Sequence, residues 1–333
     1  MTTIKDIAQA AGVSPATVSR VLNYDQSLSV SDQTRKKIFD TAEQLNYRKL
    51  RKKSKKQRSQ TQRIAIIEWY SEQEELDDLY YHSIRLGLEK KAQVLGYDIV
   101  RIFNNDSLRQ LEEADGIAAL GKFSPKQIRE LQQFRRPLVF VDSDTLSQGH
   151  SCVTTDFEHS VIEVLDYFLA QDLSGIGMIA GQEQTADKTV QLPDQRLTTF
   201  RTYLSEKGLY RPDWVKAGRF SSESGYQLMK ELIEQQSQLP PAFFISSDAL
   251  AVGALRALQE AGISVPQEVQ IVSFNDTSLA KYIFPTLSTV TVFTEEMGRQ
   301  AVRILDQELK SETETVPYMV KLGTKLTIRE SSR

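Results

Sequence analysis

The sequence predicts an α/β body of parallel sheets behind a small three-helix head, and three observations predict it. From Arg63 onward, short apolar runs such as Ile64-Ala65-Ile66-Ile67 and Leu138-Val139-Phe140-Val141 alternate with helical stretches of about 10–16 residues. Before that point only helical periodicity is present. Charge divides the same way: residues 1–63 hold 14 Lys and Arg against 5 Asp and Glu, and the remaining 270 hold 27 against 39. At 333 residues the chain is long for one core, so more than one domain is expected. The divisions fall at 1–47 for the head, 48–62 for a basic linker and 63–333 for the body. A basic head on an acidic body directs the head toward a polyanion.

In the head, Ile4, Ile7, Ala8 and Ala11 recur at three- and four-residue spacing and give the first helix one apolar stripe. Gly12 can end that helix in the left-handed conformation. Ser14 is a good N-cap, and Pro15 fits the first position of a second helix over 15–23. On that helix Val18, Val21 and Leu22 share one side. Ala16, Arg20 and Asn23 point the other way, with Thr17 and Ser19 on the flanks. A third helix, about 31–45, supplies Ile38, Ala42 and Leu45 to a small core. The outward face has the chemistry of a DNA-reading helix: small residues admit it to a major groove, hydroxyls bond phosphates, and Arg reads guanine O6 and N7. On spacing alone, the alternative is a helical hairpin with a solvated polar face.

In the body, strands are expected over 64–67, 97–100, 116–120, 138–141, 175–180, 242–245 and 269–274. Ile84, Leu88, Ala92 and Leu95 mark a helix that ends at Gly96. Ligands of such sheets lie beyond the carboxyl ends of the strands.

Several chemistries are excluded. Cys152 is the one cysteine, so neither an internal disulfide nor a thiolate cage is available. His82, His150 and His159 have no metal spacing. Gly175-x-Gly177-x-x-Ala180 matches a dinucleotide string, but the apolar strand lies on and after the glycines instead of before them. No nucleophile elbow, Walker loop or His-Glu-x-x-His occurs. The chain is expected not to be an enzyme and to need no cofactor. No apolar run approaches the ~20 residues of a membrane span. The first residues lack the apolar core of a signal peptide, so a cytoplasmic protein without membrane contact is expected.

Thr3-Ile4-Lys5-Asp6-Ile7-Ala8, followed by the unbroken run from Ala11-Gly12-Val13-Ser14-Pro15 to Val21-Leu22-Asn23, resembles the headpiece of the LacI–GalR family of bacterial transcription repressors. Val30-Ser31-x-x-Thr34-Arg35 and Leu45-Asn46-Tyr47 continue the likeness. Ser247-Asp248, Phe274-Asn275-Asp276 and Pro285-Thr286-Leu287-Ser288-Thr289 extend it more loosely through the body. The resemblance implies a helix-turn-helix headpiece and two periplasmic-binding-protein-like subdomains, with the chain crossing between them and an effector in the cleft. It places Pro15, Ala16 and Arg20 at base-reading positions and Thr17, Ser19 and Asn23 near phosphates. Thr3 and Ser14 complete that set. For the effector it implies Arg196, Phe220, Ser247 and Asn275, with Asp156, Tyr70 and Tyr80 from the first subdomain. A fork of donors and an aromatic face suit a pyranose.

Phe220-Ser221-Ser222-x-Ser224-Gly225-Tyr226 and Ser246-Ser247-Asp248 resemble the repressors of galactose and β-galactoside utilisation. The implied protein is a homodimer on operator DNA, released by galactose or a galactoside. Two alternatives stay open: a catabolite-type regulator with a phosphorylated carrier protein as corepressor, and a cytoplasmic small-molecule binding protein without an operator. One segment departs from the family. Residues 48–58 carry eight Lys or Arg where relatives have a hinge helix with a leucine wedge. Lys52, Lys53, Lys55 and Lys56 are expected to clamp DNA instead, making affinity strongly salt-dependent.

Overall fold

A computed structural model of the chain describes residues 4–22, 30–45, 61–76, 79–104, 106–313 and 315–333. Thr3, Asn23 and the lysines at 52, 53, 55 and 56 lie outside the described residues. The chain divides into two compact units, 1–60 and 61–333.

In the head, α1 spans Ile4–Ala11, α2 Pro15–Leu22 and α3 Asp32–Gln44. The turn between α1 and α2 forms as its residues dictate. Gly12 adopts φ +70°, and the Val13 N–H donates to Ala8 O at 3.0 Å. The Ser14 hydroxyl accepts from the Thr17 N–H at 3.0 Å, capping α2 with Pro15 in its first turn. Ile7, Ala8, Ala11, Val18, Val21, Ile38 and Ala42 form the core. Leu45 was expected to close it but is 37% exposed. It follows the last residue of α3, beyond the turn that carries Ile38 and Ala42 inward.

The body holds two six-stranded sheets. The first contains β1 Arg63–Glu68, β2 Asp98–Ile102, β3 Gly116–Leu120, β4 Leu138–Val141 and β5 Ser151–Thr155. The second contains β6 Ile176–Gly181, then, after a short hairpin of β7 Glu183–Gln184 and β8 Gln191–Leu192, β9 Val215–Gly218, β10 Ala242–Ile245, β11 Gln270–Asn275 and β12 Ser288–Thr291. The chain then gives β13 Met319–Leu322 to the edge of the first sheet and β14 Lys325–Thr327 to the edge of the second. The orders are β13-β5-β4-β3-β1-β2 and β14-β12-β11-β10-β6-β9. Every pairing in the two sheets is parallel except β12–β14.

Helices cover the sheets: α4 Glu72–Leu76, α5 Leu79–Leu95, α6 Pro125–Gln132, α7 Phe157–Leu169, α8 Gln195–Glu206, α9 Ser222–Gln235, α10 Asp248–Glu260, α11 Ser278–Tyr282 and α12 Thr294–Lys310. The apolar runs are buried on both sheet faces, as crossover helices require. Each fully buried Ile, Val or Phe contributes about 1.5–3 kcal/mol. Two helix pairs cross at glycines. A Cβ at Gly87 of α5 would meet Glu295 O of α12 at 2.1 Å, and one at Gly253 of α10 would meet Ser222 O of α9 at 1.8 Å. Backbone contact of this kind locks one helix pair into each half of the body.

Of the described strands, β5, β7, β8, β9, β12, β13 and β14 escaped the sequence reading, because they are short or lack a continuous apolar run. β5 reads Ser-Cys-Val-Thr-Thr and β12 Ser-Thr-Val-Thr, yet Ser288 and Thr289 are fully buried. Their hydroxyls are satisfied internally: Thr289 donates to Asp248 Oδ1 at 3.0 Å, and the Ser288 hydroxyl donates to Arg329 O at 3.1 Å. β9, Val-Lys-Ala-Gly, is half-buried and has no apolar run at all. Among the described residues, no helix is long and apolar enough to cross a membrane.

Candidate functional site

Between the carboxyl ends of the two sheets lies a cavity of about 960 Å³. The first half supplies residues that follow its strands directly: Trp69 and Tyr70 after β1, Lys122 after β3 and Asp142 after β4. The second supplies Glu183 after β6, Phe220 after β9, Ser247 after β10 and Asn275 at the end of β11.

The wall from the first half is a closed ionic cluster. Asp142 holds φ at +66°, outside the usual region for a side-chain-bearing residue. Its Oδ1 accepts from the Tyr80 hydroxyl at 3.0 Å and its Oδ2 from the Tyr81 hydroxyl at 2.6 Å. Lys122 Nζ lies 2.9 Å from Asp142 Oδ2 and also donates to the Asp142 carbonyl. Burial and the Asp142 charge push both tyrosine pKa values well up. Burial alone would lower that of Lys122, but the charges of Asp142 and Glu183 outweigh it and raise it. Tyr70 is buried in the same wall, its ring edge-on to Tyr81 at 5.4 Å.

In the other half, the wall is built around Arg196 in the first turn of α8. Its Nε donates to Asp194 Oδ1 at 2.8 Å and its Nη1 to Ser246 O at 2.9 Å. Asp194 is also the N-cap of α8, so one carboxylate starts the helix and orients the guanidinium. The guanidinium carbon stands 4.9 Å from the Phe220 ring centroid and 5.3 Å from those of Phe157 and Phe274. Burial acts against its charge, and Asp194 and Glu183 more than restore it. The hydrogen bonds within the described residues use Nε and one N–H of Nη1, which leaves the second N–H of Nη1 and both of Nη2 as donors for a ligand.

Of the sequence-predicted effector residues, the structure brings Tyr70, Tyr80, Arg196, Phe220, Ser247 and Asn275 to this one cavity. Asp156 does not line it. It is the N-cap of α7, and its carboxylate accepts from the His159 N–H at 3.3 Å. Phe220 lines the cavity, but Arg196 is stacked on its ring, so its role differs from a bare platform. The ring packs against Gly181, where a Cβ would lie 1.9 Å from it. Ser247 caps α10 by accepting from the Leu250 N–H at 3.2 Å. Asn275 holds φ at +108° at the end of β11, beside Asp276, whose Oδ1 is 2.6 Å from Arg329 Nη2.

Lys122, Asp142, Glu183 and Asp194 were missed. Periodicity does not mark charges after strand ends, although their place one or two residues beyond the apolar runs β3, β4 and β6 was the available signal for the first three. In the head, Ser14, Pro15, Ala16 and Arg20 are exposed, and Thr17 and Ser19 are half-buried on the flanks of α2.

Comparison with known proteins places both units. Residues 3–49 match bacterial regulatory proteins of the lacI family, and residues 165–332 match a periplasmic binding protein-like domain. The HTH-type transcriptional regulator GalR of Streptococcus thermophilus is 50% identical over 335 residues, covering 100% of both chains. GalR of Lacticaseibacillus casei is 38% identical, again over 100% of each chain. Among solved structures, the complex of the transcriptional regulator CelR with cellobiose superposes with a TM-score of 0.71 at 26% identity, covering 99% of this chain and 100% of that one. The lac repressor dimer bound to operator and the anti-inducer ONPF superposes at 0.69, with 21% identity over 99% and 98%.

Proposed function

Because the chain belongs to the LacI family of bacterial transcriptional regulators, and is not an enzyme, we propose that it represses transcription from operator DNA and is released by galactose or a galactoside. The observation that carries the effector reading is Arg196. A cationic fork held against three aromatic rings at a ring of strand ends suits vicinal hydroxyls of a neutral sugar. The two buried cations of the cavity are paired, Lys122 with Asp142 and Arg196 with Asp194. Lys188, Arg219 and Lys321 also line it, together with Glu74, Asp144 and Glu183, so its formal charges balance and give no preference for an anionic ligand. The likeness of Phe220-Ser221-Ser222-x-Ser224-Gly225-Tyr226 and Ser246-Ser247-Asp248 to repressors of galactose utilisation supports galactose in particular.

In this reading the protein is a cytoplasmic homodimer, and each α2 enters a major groove with Arg20 as its chief base contact. The basic run at 48–58 binds the phosphates. Release follows from linkage: the sugar binds the DNA-free arrangement more tightly and lowers operator affinity by the same factor.

Titration of D-galactose and lactose into a fluorescent protein–operator complex tests this. A fall in anisotropy with either sugar is expected. Unchanged operator affinity with both sugars overturns the galactose reading in favour of corepression by another partner.

A further inference from the structure

The hairpin β7–β8 belongs by sequence to the second half of the cleft, yet its tip is fastened to the first. The Ala186 N–H donates to Lys122 O at 2.8 Å, and Asn104 Nδ2 donates to Ala186 O at 3.1 Å. The Ser124 hydroxyl donates to Asp187 Oδ2 at 2.6 Å. Lys122 Nζ adds a looser ionic contact to Glu183 Oε2 at 3.9 Å. Thr185 and Ala186 are buried, which is unusual for the turn of a two-residue-stranded hairpin.

The tip is shaped in advance for this contact. Asp187 Oδ1 accepts from the Thr185 hydroxyl at 2.7 Å, the Thr189 hydroxyl at 2.7 Å and the Thr189 N–H at 3.2 Å. One carboxylate oxygen therefore organises the turn, and the other reaches across the cleft. Both loops that receive it, after β2 and after β3, belong to the first sheet. Glu183, Thr185, Ala186 and Lys188 also line the cavity, so the hairpin closes one side of the ligand space.

We propose that the hairpin 183–192 is a strap that fastens the two halves of the cleft, and that Ser124, Asn104 and Asp187 are positioning residues that set subdomain spacing and effector residence time. The spacing claim stands without an effector. The residence claim rests on the galactose reading above. The strap makes cleft closure a matter of a few polar contacts, which a ligand touching the hairpin can strengthen. Hydrogen bonds of this number support a change of about tenfold in a rate.

The test uses the full chain with spin labels at two exposed positions, Gln110 in the first half and Glu206 in the second, both changed to cysteine; the native Cys152 is buried. The strap is released by Asn104→Ala with Ser124→Gly, since glycine is still tolerated at the N-cap of α6 that Ser124 occupies. Ser124→Thr, which keeps the hydroxyl, is the control. A narrow interlabel distance is expected in the wild type and in the Ser124→Thr control, and a broader, longer one in the double variant. Superimposable distributions overturn the strap. D-galactose is expected to dissociate about tenfold faster from the double variant; equal dissociation rates overturn the residence claim. If the wild type binds no galactose, the effector reading fails, and the distance measurement alone decides the strap.

Discussion

The two halves of the cleft use charge in opposite ways. In the first, Asp142 is surrounded by donors, and Lys122, Tyr80 and Tyr81 are consumed in satisfying it. In the second, Arg196 rests on ring faces, and among the described residues only Asp194 and Ser246 take hydrogen bonds from its side chain. Saturated hydrogen bonding fixes a wall, because every lost contact leaves a buried polar group exposed to its full desolvation cost. Aromatic faces hold a guanidinium in place without using its N–H groups. One half is therefore a rigid backstop, and the other presents the reading group.

Removing that group should have the largest effect. Arg196→Ala is expected to weaken effector binding by about 3 kcal/mol, more than a hundredfold, since charge-assisted bonds are worth about 1.5–3 kcal/mol each. Calorimetry with D-galactose measures the loss, and anisotropy should show operator affinity unchanged. If the two halves were equivalent, Asp142→Ala would match it. Instead Asp142→Ala should act on folding, costing about 3 kcal/mol in urea unfolding because it removes the carboxylate that Lys122 and two buried tyrosine hydroxyls share. Phe220→Ala should weaken effector binding by about 1–2 kcal/mol through the loss of one face under Arg196. An unaltered affinity would mean that Phe157 and Phe274 suffice to hold the guanidinium.

The smallest effect calibrates the tyrosine–carboxylate bonds outside the cleft. The Tyr97 hydroxyl donates to Asp306 Oδ1 at 2.7 Å, and burial together with that bond raises the Tyr97 pKa to about 12. Tyr97→Phe should cost about 1 kcal/mol near neutral pH. A raised tyrosine pKa stabilises the fold below the unfolded value near 10 and loses that contribution as pH rises toward 12. The stability gap between wild type and Tyr97→Phe should therefore narrow over that range. A gap independent of pH would assign the cost to packing.

Much of this architecture was legible. The β3 run Gly-Ile-Ala-Ala-Leu and the β10 run Ala-Phe-Phe-Ile are apolar because helices cover both sheet faces, and burial on both faces is what an apolar run records. β12 was not legible, because its buried hydroxyls are matched by Asp248, 41 residues away in sequence, and Arg329, also 41 residues away. In the head, Gly12, Ser14 and Pro15 have local conformational roles, so their positions could be read directly. Asp156 shows the reverse case. An aspartate after a strand suits either a ligand or a helix cap, and the backbone N–H of His159 took the carboxylate. Arg196 was legible from its segment, but its setting was not, since Phe157 starts α7, Phe220 lies in the loop after β9 and Phe274 belongs to β11, three places far apart in sequence.

The chain passes between the two halves of the body three times, from β5 to α7, from β12 to α12 and from β13 to β14. Neither half is a contiguous stretch of sequence. A chimaera that borrows one half from a relative with a different effector therefore needs three joints, near residues 156, 293 and 323, together with a matched hairpin tip. Swaps made with a single crossover inside the body exchange parts of both walls. Recombination between such genes should accordingly move heads between intact bodies far more readily than it moves one effector-binding half.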